Sequence, residues 1–378
     1  MEKNDKKLRI AMLGHKRIPS REGGIEIVVE ELSTRMVAMG HDVTCYNRKG
    51  HHVSGQEYDN ATKENSYKGI NIKTVFTIDK KGLAAATSSF FASIRVAFGK
   101  YDVVHYHAEG PCAMMWIPKL FGKKCVATIH GLDWTRPKWS GFSRKYIRYG
   151  EKIAVKYADE IIVLNEANKK YFLETYNRKT ILIPNGVNKP DIKKAKEITE
   201  KFGLRKNSYI LYLGRIVPGK GLNYLIKAYK NITTDKKLVI AGGTSDTDEY
   251  MKELKVLVQN DQRIIFTGFV QGMLLEELYS NAYIYTLPSD SEGMPIGLLE
   301  AMSYGNCALC TNIIEISDVV ENKAILFEKG NMIELQEKIE WLLKNYDIVH
   351  DYKEISRDFI CDKYRWNNVV DKTLAVYK

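Results

Sequence analysis

Apolar residues along the chain come in short runs separated by stretches of helical spacing. Leu8-Arg9-Ile10-Ala11-Met12-Leu13 reads as a buried strand, and Ile25, Val28, Val29, Leu32 and Met36 then share one helical face. Val103–His107, Cys125–Ile129, Ile161–Leu164 and Thr180–Ile183 are further strand-like runs. Pro184-Asn185-Gly186-Val187-Asn188-Lys189-Pro190 breaks the pattern as a turn or linker. Alternation then restarts at Tyr209–Leu213, a Gly-rich turn and a helix around Leu222–Tyr229. Leu238–Ala241, Arg263–Phe266, Tyr283–Leu287 and Ala324–Phe327 extend it. Strands alternating with helices imply parallel sheets covered on both faces. The pattern predicts an α/β chain of two facing, doubly wound (Rossmann-like) domains, 1–187 and 188–360. Ligands in such folds bind beyond the carboxyl ends of the strands, so the cleft between the domains is the expected active site.

The length of 378 residues suits two domains of ~100–200 residues each. With 44% hydrophobic and 27% charged residues, the composition excludes disorder and collagen-like repeats. The weakly polar run Gly82–Phe98 is cut by Arg95 and by several hydroxyl residues. It does not read as a membrane span, which takes ~20 mostly apolar residues. The charged start, Met1–Arg9, leads into only four apolar residues, too few for a signal peptide. A cytoplasmic protein is expected.

Cys307 and Cys310 form the one C-x-x-C spacing among six cysteines, inside a strand-like run. No second ligand pair stands near, so they read as small core residues and no metal site is expected.

Charge is unevenly spread. Residues 1–189 hold 32 basic and 19 acidic residues, a surplus of +13, and the remainder is slightly acidic. Such asymmetry points the first half toward an anionic surface or a phosphate-rich ligand.

Three segments carry candidate chemistry. Gly14–Glu26 joins the first strand to the first helix. Gly23 and Gly24 admit close backbone approach, and the helix N-terminus behind them suits an anion. Lys16 and Pro19 stand where a dinucleotide fingerprint needs glycine, and no Walker A loop is present. A plain strand–helix turn is the alternative. Leu213-Gly214-Arg215-Ile216-Val217-Pro218-Gly219-Lys220-Gly221 follows a strand in the second domain. Its guanidinium and ammonium suit a leaving diphosphate. An exposed basic loop is the alternative. Pro288–Met302 contains Glu292 and Glu300, eight residues apart, around a helix opened by Pro295 and Gly297. The two acids suit separate hydroxyls of one extended ligand with a phosphate between them. Asp246-Thr247-Asp248 lies in a polar loop and reads as a helix cap.

Taken together, these segments resemble the retaining glycosyltransferases of family four, which have the GT-B architecture. The likeness rests on Gly23-Gly24, Thr128-Ile129-His130-Gly131, Pro184-Asn185-Gly186-Val187, Gly214-Arg215 with Lys220-Gly221, and Glu292-x7-Glu300, in the family's order. It implies that Arg215 and Lys220 bind the donor diphosphate, Glu300 the ribose and Glu292 the donor sugar. Backbone of Gly293, Met294, Pro295, Ile296 and Gly297 would approach sugar and phosphate. Gly23 and Gly24 would close on the diphosphate, and His130 would lie near the sugar. The nucleobase is expected near Arg263–Gly268, and residues 361–378 are expected to cross back to the first domain. Arg215, Lys220 and the helix N–H groups can stabilise the leaving diphosphate without a metal, and no D-x-D motif stands beside them, so no cofactor is expected beyond the nucleotide sugar.

On the acceptor side the candidates are His15, Lys16, Arg17, His107 and Trp134, with Arg136 and Trp139 following. His105 and His107 are expected on opposite faces of their strand, so that one at most faces the ligand. Arg144, Lys145, Arg148, Lys152 and Lys156, with aromatic neighbours, suggest a helix that lies on an anionic membrane. A solvated helix face is the alternative. The Gly14–Glu26 segment also resembles that of bacterial polysaccharide enzymes, including rhamnosyltransferases, although Glu22 stands where those carry an aromatic residue. The resulting expectation is a transferase of lipid-linked surface glycan or capsule assembly, peripheral at the inner face of the cell membrane. Competing readings are a soluble-acceptor transferase, a sugar-nucleotide epimerase and a non-catalytic nucleotide-sugar binder. No nucleic-acid motif is present.

Overall fold

The computed structural model describes residues 7–50, 65–80, 82–136, 139, 141–244 and 248–378. Contacts divide them into two units. The first runs to Asn185 and includes Trp366–Lys378; the second is Gly186–Arg365.

In the first unit the strands are β1 (Arg9–Leu13), β2 (Asp42–Arg48), β3 (Ser66–Tyr67), β4 (Ile70–Val75), β5 (Val103–His107), β6 (Lys124–Ile129), β7 (Glu160–Val163) and β8 (Ile181–Leu182). Its helices begin with α1 (Gly24–Ala38), α2 (Leu83–Ala97), α3 (Glu109–Cys112), α4 (Trp116–Leu120), α5 (Gly141–Tyr157) and α6 (Glu166–Tyr176). The sheet order is β3-β4-β2-β1-β5-β6-β7-β8. Every pairing is parallel except β3 with β4. Covered on both faces, the central strands read as near-continuous apolar runs, which is why the sequence exposes them. Strand β2, Asp-Val-Thr-Cys-Tyr-Asn-Arg, lacks such a run and escapes the pattern. Of its buried polar residues Thr44 and Asn47, the latter is satisfied across the fold, by the backbone N–H and C=O of Ile18.

The second unit contains α7 (Glu197–Phe202), β9 (Tyr209–Leu213), α8 (Leu222–Lys230), β10 (Lys237–Ala241), α9 (Asp248–Val258), β11 (Ile264–Gly268), α10 (Gly272–Asn281), β12 (Ile284–Leu287) and α11 (Ile296–Ser303). It continues with β13 (Ala308–Thr311), α12 (Ile314–Val320), β14 (Ile325–Phe327), α13 (Met332–Lys344) and α14 (Tyr346–Lys363). Its sheet, β11-β10-β9-β12-β13-β14, is wholly parallel. Asp246 and Thr247 of the expected helix cap lie outside the described residues.

Helix α15 (Trp366–Tyr377) follows α14 in sequence but belongs to the first unit, where it packs on α1. The Arg35 guanidinium lies 5.7 Å from the centre of the Trp366 ring. All six cysteines are free and buried, those of the C-x-x-C included. Burial pushes the Cys307 thiol up to about 12, so it behaves as an apolar group.

Candidate active site

In each sheet the chain reverses its winding direction at one place. In the first unit it lies between β1 and β5, and in the second between β9 and β12. At such a switch point the loops leave in opposite directions and open a crevice at the carboxyl ends of the strands. The candidate motifs sit at these two places.

In the first unit, Gly14 ends β1 at φ +104°, and a Cβ there would lie 2.1 Å from the carbonyl oxygen of His107 at the end of β5. Only glycine allows these two strand ends to approach so closely. His15, buried, donates from Nε2 to Asn47 Oδ1 at 3.1 Å, which leaves its Nδ1 as a buried acceptor with no partner. His107 Nδ1 and His130 Nε2 are 3.1 Å apart. The His105 and His107 rings lie 4.2 Å apart, centre to centre. The expectation that these two histidines point to opposite faces is thereby corrected. Residues two apart on a strand share a face, because its side-chain period is two. His105 is held from below by the hydroxyls of Tyr377 (2.6 Å) and Thr128 (2.7 Å). Burial keeps the whole group neutral. It pushes His15 and His130 down to about 4 and His105 to about 3. His107 is also driven well below its ordinary value, by burial and then by its histidine neighbours. At neutral pH the cluster therefore offers hydrogen bonds, not charge.

The Gly23-Gly24 turn opens α1, but a carboxylate already sits there. Glu26 accepts the Lys16 amide at 2.9 Å, and a Cβ on Gly23 would lie 2.5 Å from Glu26 Oε2. Burial alone would raise the Glu26 pKa; the Lys16 charge and amide hydrogen bonds outweigh it and hold the acid ionised. Arg17 does not present its charge outward. It is buried, and its Nη2 donates to Glu22 Oε1 at 3.1 Å. Glu22 thus neutralises the loop from within, with Lys16 Nζ 3.9 Å from its other oxygen. Trp134 is aimed at α5: its Nε1 donates to Glu151 Oε2 at 3.0 Å, and Arg148 stacks 5.0 Å from the ring centre. Arg136 pairs with Asp133 at 3.0 Å.

In the second unit, the loops after β9 and β12 clasp each other. Asp290 N donates to Gly219 O at 2.9 Å. Gly221, at φ +70°, stands where a Cβ would lie 1.8 Å from Pro288 O. This clasp brings Lys220 against Glu292, with Nζ bonded to Oε1 in a largely buried ion pair. Tyr224 OH likewise bonds to Asp290 Oδ1. Arg215 is half-buried next to them in sequence, its carbonyl accepting from Tyr212 OH at 2.9 Å. Met294 and Pro295 are buried, and α11 begins at Ile296. Pro295 O accepts from Leu298 N and Leu299 N, so the amides of Ile296 and Gly297 stand in the unpaired first turn. Glu300 lies within α11 and accepts from Tyr279 OH at 3.4 Å. Arg263 is set apart from this group. It precedes β11, at the opposite end of that strand from Gly268. Its guanidinium is spent on Asp261 (2.7 and 3.0 Å) and Ile232 O (2.7 Å). The expectation that Arg263 takes part in donor binding is corrected accordingly; Gly268 is the member of that segment at the carboxyl edge.

Sequence reasoning missed Asn47, Arg48 (whose Nη2 donates to Gly14 O at 2.8 Å), Thr128 as a histidine support, Tyr377 and Tyr224. Asn47 and Arg48 end a strand beside β1, a signal available only once β2 is recognised. Tyr377 carries no local signal, since it meets His105 from 272 residues away.

Among the described residues no group of three or more His, Cys, Asp or Glu is placed to hold a metal ion. In the second unit, a cation pair, a largely buried acid and open helix amides at one switch point suit a phosphate-bearing ligand. The fold is that of the GT-B glycosyltransferases. Family models agree: residues 22–189 match Glycosyltransferase Family 4, and residues 194–359 match Glycosyl transferases group 1. The chain belongs to this glycosyltransferase family and is an enzyme of glycan biosynthesis. An uncharacterised glycosyltransferase of Methanocaldococcus jannaschii is 25% identical over 98% of both chains. The UDP-Gal:alpha-D-GlcNAc-diphosphoundecaprenol alpha-1,3-galactosyltransferase of Escherichia coli is 31% identical over 63% of this chain and 64% of its own. Among solved structures, Anabaena HepE in complex with UDP and glucose superimposes with a TM-score of 0.79 at 15% identity, over 97% of this chain and 98% of its own.

Proposed function

We propose that the protein moves a sugar from a nucleoside-diphosphate sugar, UDP- or dTDP-linked, to a lipid-diphosphate-linked acceptor of a bacterial surface glycan. Transfer retains the anomeric configuration and needs no metal. The observation that carries this reading is the Lys220–Glu292 pair beside Arg215, at the β9/β12 switch point. Lys220 neutralises the acid that meets the sugar while its remaining protons face the diphosphate. Arg215 and the first-turn amides of α11 supply the other donors. Charge developing on the leaving diphosphate is stabilised by groups already in place. The bond from the anomeric carbon to the phosphate oxygen breaks as the acceptor oxygen bonds to the same face. The acceptor's proton passes to the departing phosphate oxygen. Glu300 holds the ribose, and neutral His130 orients a hydroxyl. The relatives' named donors and acceptors support this substrate class by analogy. No described helix is long and apolar enough to cross a membrane. The +13 surplus and the exposed Arg144, Lys145, Arg148, Lys152 and Lys156 of α5 support attachment to an anionic membrane surface.

The test is a panel of UDP-, dTDP- and GDP-sugars with a chelator present, followed by nucleotide release. Release from one donor is expected, and Lys220→Ala should lower it by about a hundredfold or more. Full activity in that variant would remove the diphosphate assignment. Absence of release from every donor, with no thermal shift by any nucleoside diphosphate, would favour a non-catalytic binder. Donor conversion without transfer to any acceptor would favour an epimerase.

A further inference from the structure

Helix α2 is inside out. Its buried face is Ser88, Ser89, Ala92, Ser93, Val96 and Ala97, five of the six being Ser or Ala. Its exposed face is Leu83, Phe90 and Phe91, continued by Phe98 at the C-cap, which is 74% exposed. A surface helix ordinarily shows the reverse. The face does not stand alone. Phe76, after β4, meets Phe91 with ring centres 5.3 Å apart, and Phe90 meets Phe91 at 5.4 Å. At the far end Phe98 meets Phe121 at 4.7 Å, next to Leu120, which is 72% exposed. Helix α4 packs along α2, so both aromatic groups border α2 on the first unit. Exposed aromatic surface of this kind marks an interaction site.

Charge selects the occupant. Between Lys73 and Lys156 there are fifteen basic and five acidic residues. Two of those acids, Glu109 and Glu151, are fully buried, and Asp102 is paired with Arg9. Lys80, Arg95 and Lys100 are exposed at or beside α2, Arg95 from the helix itself. The basic helix α5 starts beside α2, since a Cβ on Gly82 would lie 3.2 Å from Ser143 Oγ. An aromatic surface bordered by Lys and Arg fits a bilayer with anionic headgroups: the rings enter the acyl boundary while the bases meet the phosphates.

We propose that the exposed face of α2, with Phe76, Phe98 and Phe121, is the surface by which this enzyme inserts into an anionic lipid bilayer. The inference rests on the membrane attachment proposed above and names the element that enters the lipid; α5 supplies attraction, α2 the anchor.

The full chain is tested by co-sedimentation with vesicles of phosphatidylcholine mixed with phosphatidylglycerol, against vesicles of phosphatidylcholine alone. Binding to the mixed vesicles, weakened by salt, is expected. Phe90→Ser with Phe91→Ser should reduce partitioning by roughly tenfold or more, as two buried aromatic side chains are lost. Donor hydrolysis without vesicles should stay at the wild-type rate, which separates lost docking from lost folding. Because the six native cysteines are buried, Phe91→Cys offers one accessible thiol for a polarity-sensitive fluorophore. Its emission should shift to the blue with mixed vesicles. If the wild type binds while the double variant binds equally and the probe stays in water, α2 is not the anchor, although the attachment reading survives. If the wild type binds neither vesicle, both fall. Concentration-dependent dimerisation lost in the double variant, without vesicle binding, would assign this surface to a second copy of the chain.

Discussion

At the scale of single residues, burial decides what the histidines can do. Burial pushes His130 down to about 4, and it rests against His107, whose ring lies 4.2 Å from that of His105. A group that stays neutral down to such a pH orients or polarises a hydroxyl; it does not supply charge at pH 7. The pH profile of kcat/KM should therefore lack an inflection near 6.5 from these residues and fall only as pH approaches about 4. His130→Gln, which keeps a hydrogen-bonding side chain, should retain more activity than His130→Ala, with the loss in kcat exceeding that in donor affinity. Steady-state kinetics across pH checks both. Equal losses in the two variants would mean that His130 serves packing alone.

At the scale of elements, the clasp between the β9 and β12 loops holds together the groups proposed to bind the donor. Gly221→Ala must move Pro288 or leave the left-handed region, so it should destabilise the second unit by about 2 kcal/mol or more. Gly330→Ala is the control. Its φ, +75°, is also left-handed, but nothing lies within 4 Å, so it should cost about 1 kcal/mol from backbone strain alone. Denaturant midpoints compare them. These elements are legible because buried parallel strands leave near-continuous apolar runs, as in β1, β9 and β10. Strand β2 is not, because Thr44 and Asn47 interrupt its apolar run, and Asn47 is satisfied by His15 and Ile18, distant in sequence. Likewise, the Gly-Arg and Glu-x7-Glu segments showed where charge would gather. Nothing local showed that Arg17 would be consumed by Glu22, or Arg263 by Asp261, since a sequence displays a cation but not its partner.

For the molecule as a whole, buried neutral histidines make stability depend on acid. Three of them titrate at about 3 to 4 when folded and near 6.5 when unfolded. Between those values the unfolded chain binds more protons, so stability falls as pH drops from about 6.5 toward 4. One such histidine contributes on the order of 3 kcal/mol across that window. The melting temperature of the first unit should therefore drop steeply from pH 6.5 to pH 4, and His105→Gln should flatten that slope. An unchanged slope would show that the His105 site is not what makes the fold acid-labile.

The placement of α15 orders events in time. The first unit is interrupted: Trp366–Lys378 completes it after all 180 residues of the second unit, Gly186–Arg365, have been made. Until then the seat of Trp366 on α1 stays uncovered, and His105 lacks its Tyr377 hydroxyl. On the ribosome the earlier half therefore waits on the later one. A stalled or truncated translation product would present an unfinished histidine cluster and an open apolar seam for chaperones to shield.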